Sequence, residues 1–290
     1  MEDLLGVNKI DDKTKVIGII GKPIEQSLSP IMHNAAFKEL NLNYIYMIFK
    51  VDESQLAIAI EAIRALGVRG LNVTMPYKNE VIQYLDKLDD LAEEIGAVNT
   101  IVNDAGVLIG YNTDAYGALE ALKNNEVDLN NIDGRVLIIG AGGGARAVAY
   151  GLAKVGAKIF IANRTFNKGE QLANELNKIT SAKAITMKEI PTVINDVVII
   201  LNCTPLGMTD CAGMSQVPTE LIRKDMIVFD IVSKPKETPL LKLATKKGAK
   251  VIFGYEMVVY QGAKAFELWT GKIPPIDVMR KVVLDELDKE

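Results

Sequence analysis

The chain has one histidine and two cysteines in 290 residues. With only His33 available, Cys203 and Cys211 lack the company that a four-ligand zinc site needs. Two cysteines also do not make a disulfide framework, which fits a reducing compartment. An excess of positive charge is missing as well. Lys and Arg number 33 against 37 Asp and Glu, for a net charge of −4. No basic run appears, so a nucleic-acid partner has no electrostatic support. No apolar run approaches the roughly 20 residues that span a bilayer. The start, MEDLLGVNKIDDKTK, is polar and acidic, unlike a secretory signal. These absences lead us to expect a cytoplasmic protein, with neither nucleic acid nor membrane as partner. What is present is globular: 49% hydrophobic and 24% charged residues, in a length that suits two domains.

The stretch Arg135–Val148, RVLIIGAGGGARAV, is the most informative. Val136–Ile139 reads as a strand and Ala145–Val155 as a helix, with Gly140, Gly142, Gly143 and Gly144 between them. Glycine takes positive φ at least cost and leaves no Cβ to block an approaching diphosphate. A helix N-terminus adds free N–H groups and partial positive charge. Glycines also mark ordinary turns, so the loop alone is weak. The context agrees with a dinucleotide site: a second strand, Lys158–Ala162, follows after Gly156. That strand ends in Asn163-Arg164-Thr165. An NAD site usually places an acid there, to accept the ribose 2′-OH. None is present. Arg164 offers a fork of donors, Thr165 a hydroxyl and Lys168 a further cation, a set that suits a 2′-phosphate and hence NADP. The plainer reading is a solvated basic turn.

The first half of the chain alternates strand-like and helix-like segments: Val16–Ile20 (strand), Tyr44–Lys50 (strand), Glu53–Leu66 (helix) and Gly70–Val73 (strand). Ser29-Pro30 should open a helix, with Ser29 as its cap and an apolar face through Met32, Ala36 and Leu40. A second helix should follow Pro76. Thr100–Val102 and Val107–Gly110 should pair around a turn at Asn103–Gly106. The βαβα alternation argues for parallel sheet. It occurs on both sides of residue 113, so a complete unit precedes the nucleotide domain. Downstream, Val197–Leu201, Met226–Val232 and Lys250–Phe253 read as strands, and Val258–Leu268 and Ile276–Leu287 as helices. These last helices should return to the first domain. The expected fold is α/β with two domains: 1–113 with 256–290, carrying a mostly parallel sheet, and a Rossmann-type domain over 114–255. The cleft of such an arrangement is a common place for a small-molecule site.

Several polar groups sit in apolar, turn-rich contexts. Ser27 and Ser29 follow the first strand, where ligands of open α/β sheets gather. Capping alone would explain Ser29. Asn72-Val73-Thr74-Met75-Pro76-Tyr77-Lys78 leaves another strand end. Lys78, in the first turn of the expected helix, would oppose its dipole; the plainer reading is one solvated lysine among 33 basic residues. Asn99 and Asp114 each stand beside small or β-branched residues, Asp114 near the domain boundary. Its plainer reading is the cap of a helix over Ala115–Lys123. Gln261 could hydrogen-bond a ligand or face solvent. His33 reads as a packing residue.

Together these residues resemble the shikimate dehydrogenase family, over nearly the whole chain from Lys15 onward. The resemblance rests on separated motifs: SLSP at Ser27, NVTMPYK ending at Lys78, GAVNT around Asn99, YNTDAYG around Asp114, GAGGGARA, NRT, NCTPLGM at Asn202–Met208 and YQGAKAFELWTG from Tyr260. It implies reduction of 3-dehydroshikimate to shikimate with NADPH. It also implies that Ser27 and Ser29 hold the substrate carboxylate, and that Thr74, Lys78, Asn99, Asp114 and Gln261 contact the ring hydroxyls. Lys78 and Asp114 match the catalytic pair. Gly140, Ala141, Gly142, Gly143 and Ala145 match the diphosphate loop, and Asn163, Arg164, Thr165 and Lys168 the 2′-phosphate site. Thr204, Met208, Gly254 and Met257 fall where the family lines the nucleosides. A homodimer is compatible with this reading. One departure is Ser233, which stands where the family commonly has a tyrosine. Two other readings are a quinate/shikimate dehydrogenase with relaxed cofactor use and a non-catalytic NADP-binding regulator. The acid-free Asn-Arg-Thr turn argues against the first. The joint presence of Lys78, Asp114 and Gln261 argues against the second.

Overall fold

The computed structural model describes residues 10–208 and 217–289; Cys211 and the first nine residues lie outside them. The chain divides into two compact units. One runs to Thr113 and takes up Val259–Lys289; the other is Asp114–Val258.

The first unit begins with β1 (Lys15–Gly21), α1 (Ser29–Glu39), β2 (Tyr44–Lys50), α2 (Leu56–Ala65) and β3 (Gly70–Val73). It continues with β4 (Lys87–Leu88), α3 (Asp90–Ile95), β5 (Thr100–Asp104) and β6 (Val107–Tyr111). The sheet order is β2-β1-β3-β5-β6-β4. β1 pairs in parallel with β2 and β3, and β4 with β6, whereas β5 is antiparallel to both β3 and β6. The short connection from β5 to β6 makes the hairpin possible, since only antiparallel neighbours can be joined so tightly. Ile20, Leu71, Val73 and Ile101 of this sheet cluster with Leu56, Ile60 and Ile63 of α2.

The second unit holds α4 (Asp114–Asn124), β7 (Arg135–Ile139), α5 (Gly143–Lys154), β8 (Lys158–Ala162), α6 (Phe166–Leu176), β9 (Ala182–Ile185), α7 (Ile190–Val193) and β10 (Val197–Asn202). β11 (Ile227–Asp230), α8 (Pro239–Lys246) and β12 (Lys250–Ile252) complete its sheet. All its pairings are parallel, in the order β12-β11-β10-β7-β8-β9. Counted from β7, that is the 3-2-1-4-5-6 order of a doubly wound dinucleotide fold. Its strands are almost continuously apolar, as burial on both faces requires.

α9 (Gly254–Thr270) begins in the second unit and ends in the first, which α10 (Ile276–Leu287) completes. Trp269 is buried and donates its indole N–H to Ile101 O at 2.9 Å, while Arg69 Nε donates to Trp269 O at 3.0 Å. Gly70 has no Cβ where the Trp269 ring lies, so the helix end can sit flat on β3.

Four local expectations need correction. No α-helix follows Pro76: residues 75–79 are turn and Glu80–Tyr84 is a 3₁₀ segment. The Lys78 carbonyl, which a helix would pair with Ile82, accepts the Val98 N–H at 2.7 Å instead, and Tyr77 turns inward to donate its hydroxyl to Val51 O. The helix-dipole argument for Lys78 falls with that helix. Ser29 is the first residue of α1, not its cap; Leu28 holds the cap position, without a side-chain bond, and Ser27 Oγ accepts the Ser29 N–H at 3.3 Å. Asp114 likewise opens α4 from inside rather than preceding it. The buried face of α1 runs through Met32, His33, Ala36 and Phe37, and Leu40 is exposed.

His33 is fully buried in an aromatic box, stacked on Tyr46 at 4.6 Å and edge-on to Trp269 at 5.2 Å. Neither ring nitrogen has a hydrogen-bond partner. Burial lowers its pKa to about 3. Below the ordinary histidine pKa the unfolded chain takes up a proton that the folded chain refuses, so stability falls as the pH drops from about 6.5 toward 3. His33→Leu should remove this contribution, worth about 2 kcal/mol between pH 7.5 and pH 5. Urea denaturation at the two pH values checks it. An unchanged pH dependence in the variant contradicts the assignment.

Candidate active site

In the first unit, the strand ends carry a buried polar network. β3 and β5 are registered so that Asn72 faces Thr100. Asn72 Nδ2 donates to Thr100 Oγ1 and to Asn99 O, both at 3.1 Å. Its Oδ1 accepts the Tyr46 hydroxyl at 2.7 Å. Burial pushes the Tyr46 pKa well above its usual value, against a smaller opposing pull from Ser29. Thr100 Oγ1 donates to Asn99 Oδ1 at 3.0 Å, and that oxygen also accepts the Thr113 N–H at 2.7 Å. Asn99 Nδ2 donates to Thr113 Oγ1 at 2.9 Å and to Gln261 Oε1 at 3.4 Å. Asn99 and Gln261, singled out separately in the sequence, thus join one network with Tyr46, Asn72, Thr100 and Thr113. Thr113 lies within the YNTDAYG stretch, but Tyr46 gave no signal, being one aromatic in an apolar strand.

The turn after β3 brings Thr74 and Lys78, both half-buried, to the same edge. Thr74 N–H donates to Ile20 O at 2.9 Å and the Lys22 N–H to Met75 O at 2.8 Å, so this turn is laced to the end of β1. Gly21 makes the approach possible, since a Cβ there would overlap the Thr74 methyl. Ser27 is half-buried nearby in sequence.

Asp114 begins the second unit and is buried. Its glycine loop uses its glycines for different purposes. Gly140 alone has a positive φ, 112°, and a Cβ there would come within 3.0 Å of Cys203 O and 3.2 Å of Thr204 Cγ2. Gly142 has extended backbone and open space where a side chain would be. Gly143 and Gly144 already belong to α5, which starts two residues earlier than its sequence suggests. Ala145 is fully buried beneath, and Ala141 is half-buried. This leaves a bare helix N-terminus over an unobstructed backbone, as an anion requires.

At the end of β8, Asn163 Nδ2 donates to Thr165 O at 2.8 Å and shapes the turn. Arg164, Thr165 and Lys168 are exposed around it, and Thr165 takes the cap position of α6 without a capping side-chain bond. On the other side of β7, Thr204 and Met208 lie in the loop after β10, where Met208 N–H donates to Pro205 O at 3.1 Å. Gly254 and Met257 start α9, and Gly254 packs against the Val232 carbonyl where no Cβ would fit. Sequence reading missed the buried carboxylate of Asp230 in this region. Among the described residues, no His, Cys, Asp and Glu cluster into a metal site, and no helix is long and apolar enough to cross a membrane.

A parallel dinucleotide fold joined to a mixed α/β unit with polar strand ends defines a nucleotide-dependent oxidoreductase. Comparison with known proteins narrows this. The shikimate dehydrogenase substrate binding domain matches residues 19–101, shikimate / quinate 5-dehydrogenase residues 121–239, and the shikimate 5′-dehydrogenase C-terminal domain residues 254–284. The shikimate dehydrogenase (NADP(+)) of Methanocaldococcus jannaschii is 47% identical, over 97% of this chain and 100% of its own. A crystal structure of a shikimate dehydrogenase in complex with NADP+ superposes with a TM-score of 0.90 at 45% identity, covering 98% of this chain and 99% of that one. The enzyme from Listeria monocytogenes, in complex with shikimate and NAD, does so with a TM-score of 0.89 at 39% identity, covering 96% and 99%. The chain belongs to the shikimate dehydrogenase family.

The cationic turn after β8 yields a direct test. Arg164→Ala should weaken binding of NADPH by at least tenfold and of NADH hardly at all, because only the former carries the 2′-phosphate that a guanidinium pairs with. Equal losses in nucleotide titrations would remove Arg164 from this role.

Proposed function

We propose that this chain catalyses the reversible reduction of 3-dehydroshikimate to shikimate with NADPH, the reductive step of the shikimate pathway toward aromatic amino acids. The observation that carries the reading is the polar network joining Asn72, Asn99 and Gln261 at the strand ends of the first unit, beside the Thr74–Lys78 turn. A polyhydroxylated ring acid needs such a set of pre-placed donors and acceptors. In this reading 1–113 with 256–290 binds substrate and 114–255 binds NADP. Two cysteines in 290 residues suit the cytoplasm as its place of work.

NADPH, when bound, supplies the hydride. The residues present fit it: Gly140 and Gly142 clear the backbone for the diphosphate, the N-terminus of α5 faces it, and Arg164, Thr165 and Lys168 surround the place of a 2′-phosphate. Asn163 keeps that turn in shape. Ala141, Gly143 and Ala145 complete the loop, and Thr204, Met208, Gly254 and Met257 line the nucleosides. Ser27 and Ser29 hold the substrate carboxylate. Thr74, Asn99 and Gln261 orient the ring through its hydroxyls. Lys78 gives a proton to the carbonyl oxygen during reduction and takes it back during oxidation. Asp114 is the second catalytic residue of this reading.

General acid–base help of this kind is worth on the order of 100- to 10,000-fold. Lys78→Ala should lower kcat by about that factor and leave NADPH binding intact. Initial rates followed at 340 nm, with shikimate or quinate and NADP+ or NAD+, check both the residue and the substrate. Unimpaired turnover in the variant removes Lys78 from the acid–base role, and preference for quinate with NAD+ overturns the reading.

A further inference from the structure

Asp230 ends β11 and is completely buried. Its carboxylate accepts three hydrogen bonds: Thr238 Oγ1 at 2.7 Å, Asn202 Nδ2 at 2.9 Å and the Val232 N–H at 3.1 Å. Two of these partners hand the constraint on. Asn202 Oδ1 accepts Thr204 Oγ1 at 2.7 Å and the Thr204 N–H at 3.1 Å, and Asn202 Nδ2 also reaches Leu206 O at 3.2 Å. Thr238 caps α8 by accepting the Leu241 N–H at 3.3 Å. Gly207, with φ of 100°, packs so close to Thr238 that an added Cβ would stand 3.3 Å from its Cβ. One carboxylate therefore ties the loop after β10 to the end of β11 and the start of α8.

The position of that loop follows from the sheet order. β7 leads into the glycine turn, β8 lies on one side of it, and β10 and β11 lie on the other. A dinucleotide with its diphosphate over the glycine turn and its 2′-phosphate beyond β8 extends its nicotinamide half toward β10 and β11. The loop also walls the glycine turn, through Cys203 O and Thr204 Cγ2 beside Gly140. Burial raises the Asp230 pKa to about 6. The ion is thus kept at neutral pH at a cost to the fold, which is common where a charge has a task.

We propose that Asp230 is a positioning residue for the nicotinamide half of the cofactor, holding Thr204–Leu206 in the conformation that receives it. This rests on the NADPH reading above. The test uses the full chain with Asp230→Ala, Asp230→Asn and Thr238→Val. Two ligands are titrated: NADPH, and adenosine 2′,5′-bisphosphate, which has the 2′-phosphate but no nicotinamide. Asp230→Ala should weaken NADPH about tenfold or more, the range for hydrogen bonds to a buried charge, and leave the bisphosphate within twofold. Asp230→Asn retains an acceptor oxygen for Asn202 and Val232 and should recover most of the affinity. Unchanged NADPH binding in Asp230→Ala, or equal loss of both ligands, overturns the proposal. Should Asp230→Ala fail to fold, Thr238→Val decides: weakening of NADPH by several-fold alone is expected, and no change overturns it. A wild-type chain that binds neither ligand overturns the NADPH reading itself and takes the proposal with it.

Discussion

Asn99 can satisfy its buried side chain only if several segments far apart in the chain end at one height. Its oxygen takes the Thr100 hydroxyl and the Thr113 N–H, and its nitrogen reaches Thr113 and Gln261. A buried amide left unpaired costs about 1–3 kcal/mol, so each partner is held as firmly as Asn99 itself. The antiparallel step in the sheet makes this possible. Reversing β5 against β3 sets Asn72 opposite Thr100, where cross-strand side chains lie about 5 Å apart. A purely parallel sheet would have needed a crossover between them, and the hairpin from β5 to β6 would not bring Thr113 back to the same edge. The polar strand ends of the first unit are thus a product of its mixed topology.

The second unit solves a different problem with a different sheet. All its strands run one way, so every strand end and every following loop gathers on one edge. At the glycine turn of that edge, bare backbone takes the place of side chains. Gly140 bends, Gly142 stays open and α5 presents its first N–H groups. A diphosphate is recognised best by backbone donors, whereas a ring of hydroxyls needs amides and hydroxyls at set heights. The chemistry of the ligand thus follows the kind of edge each sheet provides.

The sequence was legible where a local rule has one outcome. Strand, glycines, helix and strand from Arg135 to Ala162 leave little choice, and the lack of an acid at Asn163 is visible directly. The strand Gly70–Val73 and the hairpin around Asn103–Gly106 were legible for the same reason. Reading failed where a tertiary bond outbid a local preference. Pro76 should begin a helix, yet the Val98 N–H takes the Lys78 carbonyl and the buried Tyr77 pulls the chain into a turn. Ser29 should cap α1, but the helix starts one residue earlier, with Leu28 at the cap position, and the backbone N–H of Ser29 turns to Ser27. Tyr46 was invisible because one phenol in an apolar strand looks like packing until its partner on another strand is known. Asp230 was invisible because its three donors come from both sides of it in the chain.

His33 and Asp230 are both fully buried and titratable, and both cost the fold something. Their surroundings separate them. His33 has aromatic rings on its faces and no hydrogen-bond partner, so it transmits nothing beyond its own shape. Burial has made it a neutral ring among other rings, and a hydrophobic side chain of similar volume would serve the same packing. Asp230 has three donors aimed at it, from the ends of two strands and the cap of a helix, and two of them, Asn202 and Thr238, are fixed in turn by other groups. A hydrophobic replacement there would leave an amide, a hydroxyl and a backbone N–H unpaired together. Burial alone therefore does not mark function. What distinguishes Asp230 is that its charge is the common acceptor for the end of β10, the residues after β11 and the cap of α8, at the edge where the glycine turn opens.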